Sequence, residues 1–219
     1  LSGEPLDLCF RKDGFSHGEA QHDLSLYVPD YSIFPDHMFR ICYSQQNGVV
    51  NMLLPQIGKW GWPALSKTPD LLREYSRMLF ARTLLYDIPL FHNGIDYDQY
   101  NAILQAREWL GDFASARHIG PPASSRYVRP SKSKLSMAIY CIERRRDRLM
   151  LVAANLGRSP ISDTIAFEPL SLSRLGIEPG RGLRVEDAIP GKVLMSHGHA
   201  LDVSIPANDY LMLLVDFEP

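Results

Sequence analysis

The pattern of hydrophobic and polar positions divides the chain into a helical stretch and a stretch of short strands. Between residues 66 and 117, apolar side chains recur three and four positions apart, which is the spacing of one helix face. The first predicted helix spans 69–86, because Pro69 suits a first helical turn and the periodic pattern stops before the next proline. The second helix is predicted to begin at 96–98 and to end at 111–116.

The C-terminal part instead consists of short apolar runs separated by turn residues. The predicted strands lie at 135–142, 148–155, 163–167, 183–188, 192–196, 200–205 and 210–217. Their short spacing predicts an antiparallel β-sandwich. Residues 120–134 are rich in proline, serine and basic side chains, so we predict a linker there, between domains at 1–119 and 135–219.

The N-terminal region is expected to be α/β. Residues 49–54 are apolar at almost every position, which is typical of a strand buried on both faces of a parallel sheet. Further short strands are predicted at 6–10 and 39–43. Long polar connections at 13–23 and 28–37 separate them, and loops of that length inside a compact domain tend to be functional.

The composition is that of an ordinary globular protein. The chain has 219 residues, of which 45% are hydrophobic and 22% are charged, and its formal net charge is -2. This balance argues against a protein that binds nucleic acid over a broad surface, and no apolar run approaches the length of a membrane span. The three cysteines lie far apart without a CxxC pair. We therefore expect buried thiols, a reducing compartment and a cytoplasmic location.

Apolar segments of the C-terminal part end at distinctive residues. One runs into Asn155-Leu-Gly, one carries Asp187 before the turn at Gly191, and one reaches Pro206 before the final apolar strand. Together with the helical and apolar segment at 75–94, this order resembles the C-terminal region of (β/α)8-barrel glycoside hydrolases of the α-amylase and α-galactosidase-like type. The resemblance implies the last units of a barrel, an antiparallel β-domain after them, and an enzyme that cleaves glycosidic bonds.

The length before the predicted linker is short for such a barrel. A complete (β/α)8 barrel usually needs about 250 residues, and each βα unit takes about 30, so only about three units fit. The chain is therefore expected to be the C-terminal part of a longer enzyme. Because the sequence begins at Leu1, a processed protein, a trimmed protein and a piece of a longer polypeptide are all open.

Glycoside hydrolysis requires two carboxylates, and in a barrel they project from the carboxyl ends of strands. Glu4 is the first candidate, since its Ser-Gly-Glu stretch suits an acid at a strand end. An acid exposed to solvent is the alternative. Asp36 is the second candidate, beside His37 and between apolar residues that would raise the pKa of its carboxyl group by desolvation. A role for Asp36 as the cap of a turn or helix is the alternative. The partner carboxylate is expected on a strand in the remaining part of the barrel.

Aromatic and polar residues near the predicted strand at 49–54 are candidates for binding the substrate. Trp60 and Trp62 follow that strand, and indole rings provide platforms on which sugars stack. Packing of these rings within the protein is the alternative. Tyr31 is predicted at the same mouth, and His37 is a further candidate for binding the substrate. His92 is predicted to donate a hydrogen bond to a sugar hydroxyl, unless His-Asn-Gly only forms a turn.

Other chemistries have weaker support. No phosphate-binding loop, dinucleotide fingerprint or zinc-protease motif occurs, and nothing fixes a metal-binding geometry at His17 and His22, so neither a cofactor nor a metal is predicted. The GxSxG string at 14–18 is interpreted as a chance match within a loop, because a polar stretch precedes it. The basic residues at 126–148 are interpreted mainly as a solvated hairpin turn, with an anionic polymer such as nucleic acid as the competing partner.

The sequence thus predicts part of an enzyme that acts on carbohydrate, with neither a nucleic-acid nor a membrane partner. The alternative is a non-catalytic module that binds carbohydrate or another protein. Turnover of a sugar substrate would distinguish the two.

Overall fold

The computed structural model describes two short strands near the N-terminus and most of the chain after residue 67. The strands at 15–18 and 50–53 are described by their backbone, and the fully described ranges are 68–88, 95–132, 134–178 and 182–218. The chain forms two compact units, residues 1–100 and 101–219.

The first unit contains a parallel pair of strands. Strand β1, Phe15–Gly18, pairs with strand β2, Val50–Leu53. Strands that pair in parallel need a connection of about a dozen residues or more, and residues 19–49 separate these two. The parallel pairing predicted for 49–54 is confirmed, whereas the loop predicted over 13–23 is wrong at the four residues of β1.

Two helices follow along the chain. Helix α1 spans Pro69–Leu85 and helix α2 spans Tyr97–Leu110, so both predicted helices are confirmed. From Met78 onward every residue of α1 is buried, including Arg82, whose Nη1 donates a hydrogen bond to the carbonyl of Met78. Burial on all sides is typical of a helix in the interior of a fold. Within the described ranges, no helix is long and apolar enough to cross a membrane.

The second unit is built from two antiparallel sheets. Its strands are β3 Arg117–Ile119, β4 Val128–Pro130, β5 Ser136–Cys141, β6 Arg148–Asn155, β7 Ile161–Phe167, β8 Gly182–Asp187, β9 Lys192–Leu194, β10 Ser196–His197, β11 Ala200–Ile205 and β12 Asp209–Glu218. A short helix, α3 Pro169–Ser173, lies between β7 and β8. The six-stranded sheet has the order β3-β5-β6-β12-β8-β9, and the four-stranded sheet has the order β10-β11-β7-β4. The antiparallel arrangement predicted for the C-terminal part is confirmed.

The antiparallel unit extends beyond the domain predicted at 135–219. Strand β3 pairs with β5, and β4 pairs with β7, so both short strands belong to the sheets. Strand β4 lies inside the segment 120–134 for which the sequence predicted a linker. Each of these strands has only three residues, few of them apolar, so the hydrophobic pattern did not reveal it. The compact unit accordingly begins at Asn101 rather than at 135.

Side chains from both sheets form one hydrophobic core. The six-stranded sheet contributes residues such as Ile139, Leu151 and Val215, and the four-stranded sheet contributes Ile165 and Leu201. Strands β7 and β11 alternate between buried and more exposed positions, as expected of strands with one face on the core. Strands β5 and β6 are buried at almost every position. The middle of the six-stranded sheet is therefore covered on both faces.

The basic segment between β5 and β6 forms the predicted solvent-exposed turn. Residues 143–147 are exposed, and the N–H of Arg145 donates to the carbonyl of Ile142 at 2.8 Å. Arg146 pairs with Glu178 at 3.1 Å. Part of the positive charge of the turn is therefore compensated within the chain.

Candidate functional site

The residues predicted to act on a substrate lie outside the described parts of the chain. They are Glu4, Tyr31, Asp36, His37, Trp60, Trp62 and His92. Their roles stay predictions, and the described structure contributes the elements that precede and follow them.

Strands β1 and β2 run in the same direction and end at the same edge of the pair. Because Gly18 is aligned with Leu53, the carboxyl ends of both strands lie at the same edge. In barrels of parallel strands, that edge carries the active site. Trp60 and Trp62 follow β2 along the sequence. Their role stays a prediction.

The GxSxG string at 14–18 does not form a nucleophile elbow. Such an elbow places the serine on a sharp turn between a strand and a helix. Here Ser16 lies within β1, and it is aligned with Asn51 of β2. The interpretation as a chance match agrees with this backbone geometry, although residues 15–18 lie in a strand rather than in a loop.

A polar cluster, buried except for Arg73, stabilises the start of helix α2. The N–H of Asp96 donates to Ser76 Oγ at 2.8 Å, and Asp96 Oδ1 accepts from the N–H of Gln99 at 2.9 Å. Gln99 Nε2 donates to the carbonyl of Arg73 at 3.1 Å, while Arg73 Nε lies 3.5 Å from Asp96 Oδ2. The carboxylate of Asp96 caps the helix and both of its oxygens are engaged. This cluster therefore supports the fold rather than acid/base chemistry.

Arg148 at the start of β6 connects the end of helix α2 to the six-stranded sheet. Its Nη1 donates to the carbonyl of Trp109 at 3.3 Å, and its guanidinium lies 4.8 Å from the centroid of the Trp109 ring. Its Nη2 lies 3.1 Å from Asp147 Oδ2 and 3.7 Å from Asp216 Oδ1. Desolvation raises the pKa of Asp216, although Arg148 and Arg184, aligned with it on the two neighbouring strands, act in the opposite direction.

Asn155 at the end of β6 joins the two sheets through its side-chain amide. Its Nδ2 donates to the carbonyls of Ser159 and Pro206 at 2.8 Å and of Ile205 at 3.2 Å. Its Oδ1 accepts from the N–H of Gly157 at 3.0 Å. Because Asn155 is fully buried, these bonds replace contacts with water and fix the turn after β6 against the end of β11.

Cys141 is buried at the end of β5, as predicted for the cysteines, whereas Cys9 and Cys42 lie outside the described residues. Burial raises the pKa of the Cys141 thiol, and the charge of Arg117 opposes this shift. The thiol is therefore a poor nucleophile at neutral pH. In the part of the chain that the structure describes, no group of three or more His, Cys, Asp or Glu residues is placed to hold a metal ion.

Comparison with known proteins shows similarity to solved structures only. No protein-family model matches the chain, and no curated protein sequence matches it either.

Similar solved structures include three enzymes. A maltogenic α-amylase from Thermotoga neapolitana is 15% identical, with a TM-score of 0.45 over 84% of this chain and 44% of that enzyme. An α-galactosidase from Mortierella vinacea is 14% identical, with a TM-score of 0.45 over 76% of this chain and 40% of that enzyme. An α-amylase from Anoxybacillus is 10% identical, with a TM-score of 0.45 over 94% and 53%. These three are glycoside hydrolases, and the chain spans about half of their length or less.

Proposed function

We propose that the chain is the C-terminal part of a (β/α)8-barrel glycoside hydrolase. The observation that carries this proposal is the order of elements, which is a parallel strand pair, two helices and an antiparallel unit with its own core. This is the order that the resemblance in sequence implies for the end of a barrel and the β-domain behind it. The antiparallel unit is proposed to be a β-sandwich, because its two sheets share one core.

The proposed reaction is hydrolysis of a glycosidic bond by carboxylate acid/base catalysis. In such a reaction one carboxyl group protonates the leaving oxygen, and the other acts as nucleophile or activates water. Glu4 is proposed for the first of these roles and Asp36, beside His37, is the second candidate for it. The remaining carboxylate is proposed to lie in the part of the barrel outside this chain.

The first unit is also proposed to bind the sugar. Its N-terminal part holds both strands of the parallel pair, whose carboxyl ends lie at one edge. Residues that follow such an edge line the active site of a parallel barrel. The proposed contacts to carbohydrate are made by Trp60 and Trp62 through stacking and by Tyr31, His37 and His92 through hydrogen bonds.

The direct test is hydrolysis by the complete protein that contains this chain. Maltooligosaccharides and nitrophenyl glycosides of galactose and arabinose cover the main sugar classes. Glu4→Gln is expected to lower kcat/KM by about a thousandfold, since general acid catalysis contributes about two to four orders of magnitude. Glu178→Gln is the matched control, because this exposed residue pairs with the exposed Arg146, and its turnover is expected to be unchanged.

Three results would overturn parts of the proposal. Near-normal turnover by Glu4→Gln and by Asp36→Asn would remove both residues from the catalytic role. Unchanged KM in Trp60→Ala and Trp62→Ala would remove the stacking platforms. Binding of glycans by the wild-type protein without any turnover would identify a non-catalytic carbohydrate-binding module instead.

A further inference from the structure

We propose that Arg148 holds the end of helix α2 against the six-stranded sheet, and that protonation of a neighbouring carboxylate weakens this contact. We call this contact the latch. This device does not depend on the proposed function, because all the residues involved lie in the described part of the second unit. Arg148 makes its contacts in two directions. On one side lie the carbonyl and the ring of Trp109, and on the other lie the carboxylates of Asp147 and Asp216.

The last turn of α2 has carbonyl groups that need donors from outside the helix. The final carbonyls of any helix lack intrahelical partners, and a cation near them also interacts favourably with the helix dipole. The N–H of Gly111 donates to the carbonyls of Arg107 and Glu108. The carbonyl of Trp109 accepts instead from Arg148 Nη1, at 3.3 Å. Arg148 therefore caps one of the final carbonyls of α2 from a neighbouring strand.

The position of Arg148 depends on its counter-charges. Only 22% of its side chain is exposed, and a cation withdrawn from water is stable only beside compensating negative charge. Asp147 supplies this charge at 3.1 Å and Asp216 at 3.7 Å. If a carboxylate takes up a proton, the guanidinium loses part of that compensation and is better solvated away from Trp109.

Asp216 is the carboxylate whose protonation controls the latch. The charged groups that face it are Arg148 on β6, Asp147 on the turn before β6, and Arg184 and Glu186 on β8. Burial outweighs the two arginines and raises the pKa of the Asp216 carboxyl group. It therefore takes up its proton at a higher pH than an ordinary aspartate does, and the end of α2 loosens as the pH falls through that range.

Hydrogen exchange of the complete protein, followed by mass spectrometry and corrected for the intrinsic effect of pH, tests the latch. In the wild-type protein, amides at 107–111 are expected to lose protection about fivefold when the pH falls from about 7 to about 4.5, the size expected for losing a charged partner at a helix end. Amides of β6 and β12 are expected to keep their protection. Arg148→Gln is expected to show the low protection at both pH values.

Two further variants separate the latch from a general effect of charge. Asp216→Asn is expected to lose most of the pH-dependent step at 107–111. Arg146→Gln, which removes a neighbouring exposed ion pair with Glu178, is expected to behave as wild type. The proposal is overturned if wild-type protection at 107–111 does not change with pH, if Arg148→Gln keeps full protection at pH 7, or if Asp216→Asn retains the whole step.

Discussion

Replacing Asn155 by alanine tests how strongly one buried amide holds the antiparallel unit together. The wild-type side chain is fully buried and bonds three carbonyl groups and one N–H group. An asparagine amide has two N–H donors, so one of the three contacts to carbonyls is shared. The substitution therefore removes about three full hydrogen bonds made by a fully buried side chain.

The magnitude follows from the usual worth of such bonds. Each net hydrogen bond contributes about 1 kcal/mol, so the free energy of unfolding is expected to fall by about 3 kcal/mol. For a unit of this size, about 3 kcal/mol corresponds to a decrease of about 12 °C in Tm. Asn155→Asp is expected to be at least as harmful at pH 7, because a carboxylate would face three carbonyl oxygens.

The pH dependence of Asn155→Asp has a defined sign. Facing carbonyl oxygens raises the pKa of a carboxyl group in the folded state, so the folded state binds the proton more tightly than the unfolded state. The loss of stability in this variant is therefore expected to grow as the pH rises through the raised pKa and to diminish in acid. Asn155→Ala is expected to show no such difference from wild type.

Urea unfolding followed by circular dichroism measures these changes. Ser162→Ala is the matched control, since it removes one exposed hydrogen bond, with Ser204, at 3.3 Å, and is expected to cost less than about 0.5 kcal/mol. A cost below about 1 kcal/mol for Asn155→Ala would refute the reasoning, because it would show that the amide does not join the sheets.

Further predictions concern the thiol, the ends of helix α2 and Asp216. Because burial raises the pKa of Cys141, its alkylation by iodoacetamide at pH 8 is expected to be at least about tenfold slower than in the unfolded chain, and equal rates would contradict its burial. Gly111 has a φ of +116°, so Gly111→Ala is expected to cost about 1 to 3 kcal/mol in urea unfolding, and a neutral result would exclude strain there. Asp96→Ala removes the cap of α2 and is expected to cost about 1 to 2 kcal/mol, with an unchanged Tm as the contrary outcome. Burial raises the pKa of Asp216 in the folded state, so its ionisation lowers the free energy of global unfolding as the pH rises, although the same charge attracts Arg148 locally. Asp216→Asn is therefore expected to match or exceed the wild-type Tm at pH 7, and a clear decrease would contradict this sign.

The candidate catalytic residues came from the sequence alone. Glu4 and Asp36 are candidates because they stand beside apolar runs, and Trp60 and Trp62 are candidates because they follow an apolar strand. The structure adds the parallel alignment of Gly18 with Leu53, which places the carboxyl ends of two strands at one edge. Spacing along the sequence does not contain that alignment, since it results from residues more than thirty positions apart.

The contacts of Arg148 show what sequence patterns leave out. The basic composition around it predicted an exposed turn, and the turn is confirmed at residues 143–147. Arg148 itself is mostly buried and contacts Trp109, which lies 39 positions earlier. The number of charges in a segment does not predict which residue an individual arginine contacts. That contact depends on how a helix packs against a sheet.

The sequence by itself determined the elements whose periodicity is local and long enough to recognise. Helices α1 and α2, the parallel strand at 50–53 and most of the antiparallel strands belong to this group. Each of them depends on the side chains within its own few turns or alternations.

Only the tertiary structure decided which strands are neighbours and which faces are buried. It placed β4 in a sheet although its segment has the composition of a linker, and it covered both faces of β5 and β6. It also gave Asn155 its acceptors about fifty residues away. The physical reason is the same in each case. Pairing and burial depend on contacts between distant residues, and their free energy is gained only when the whole unit is assembled.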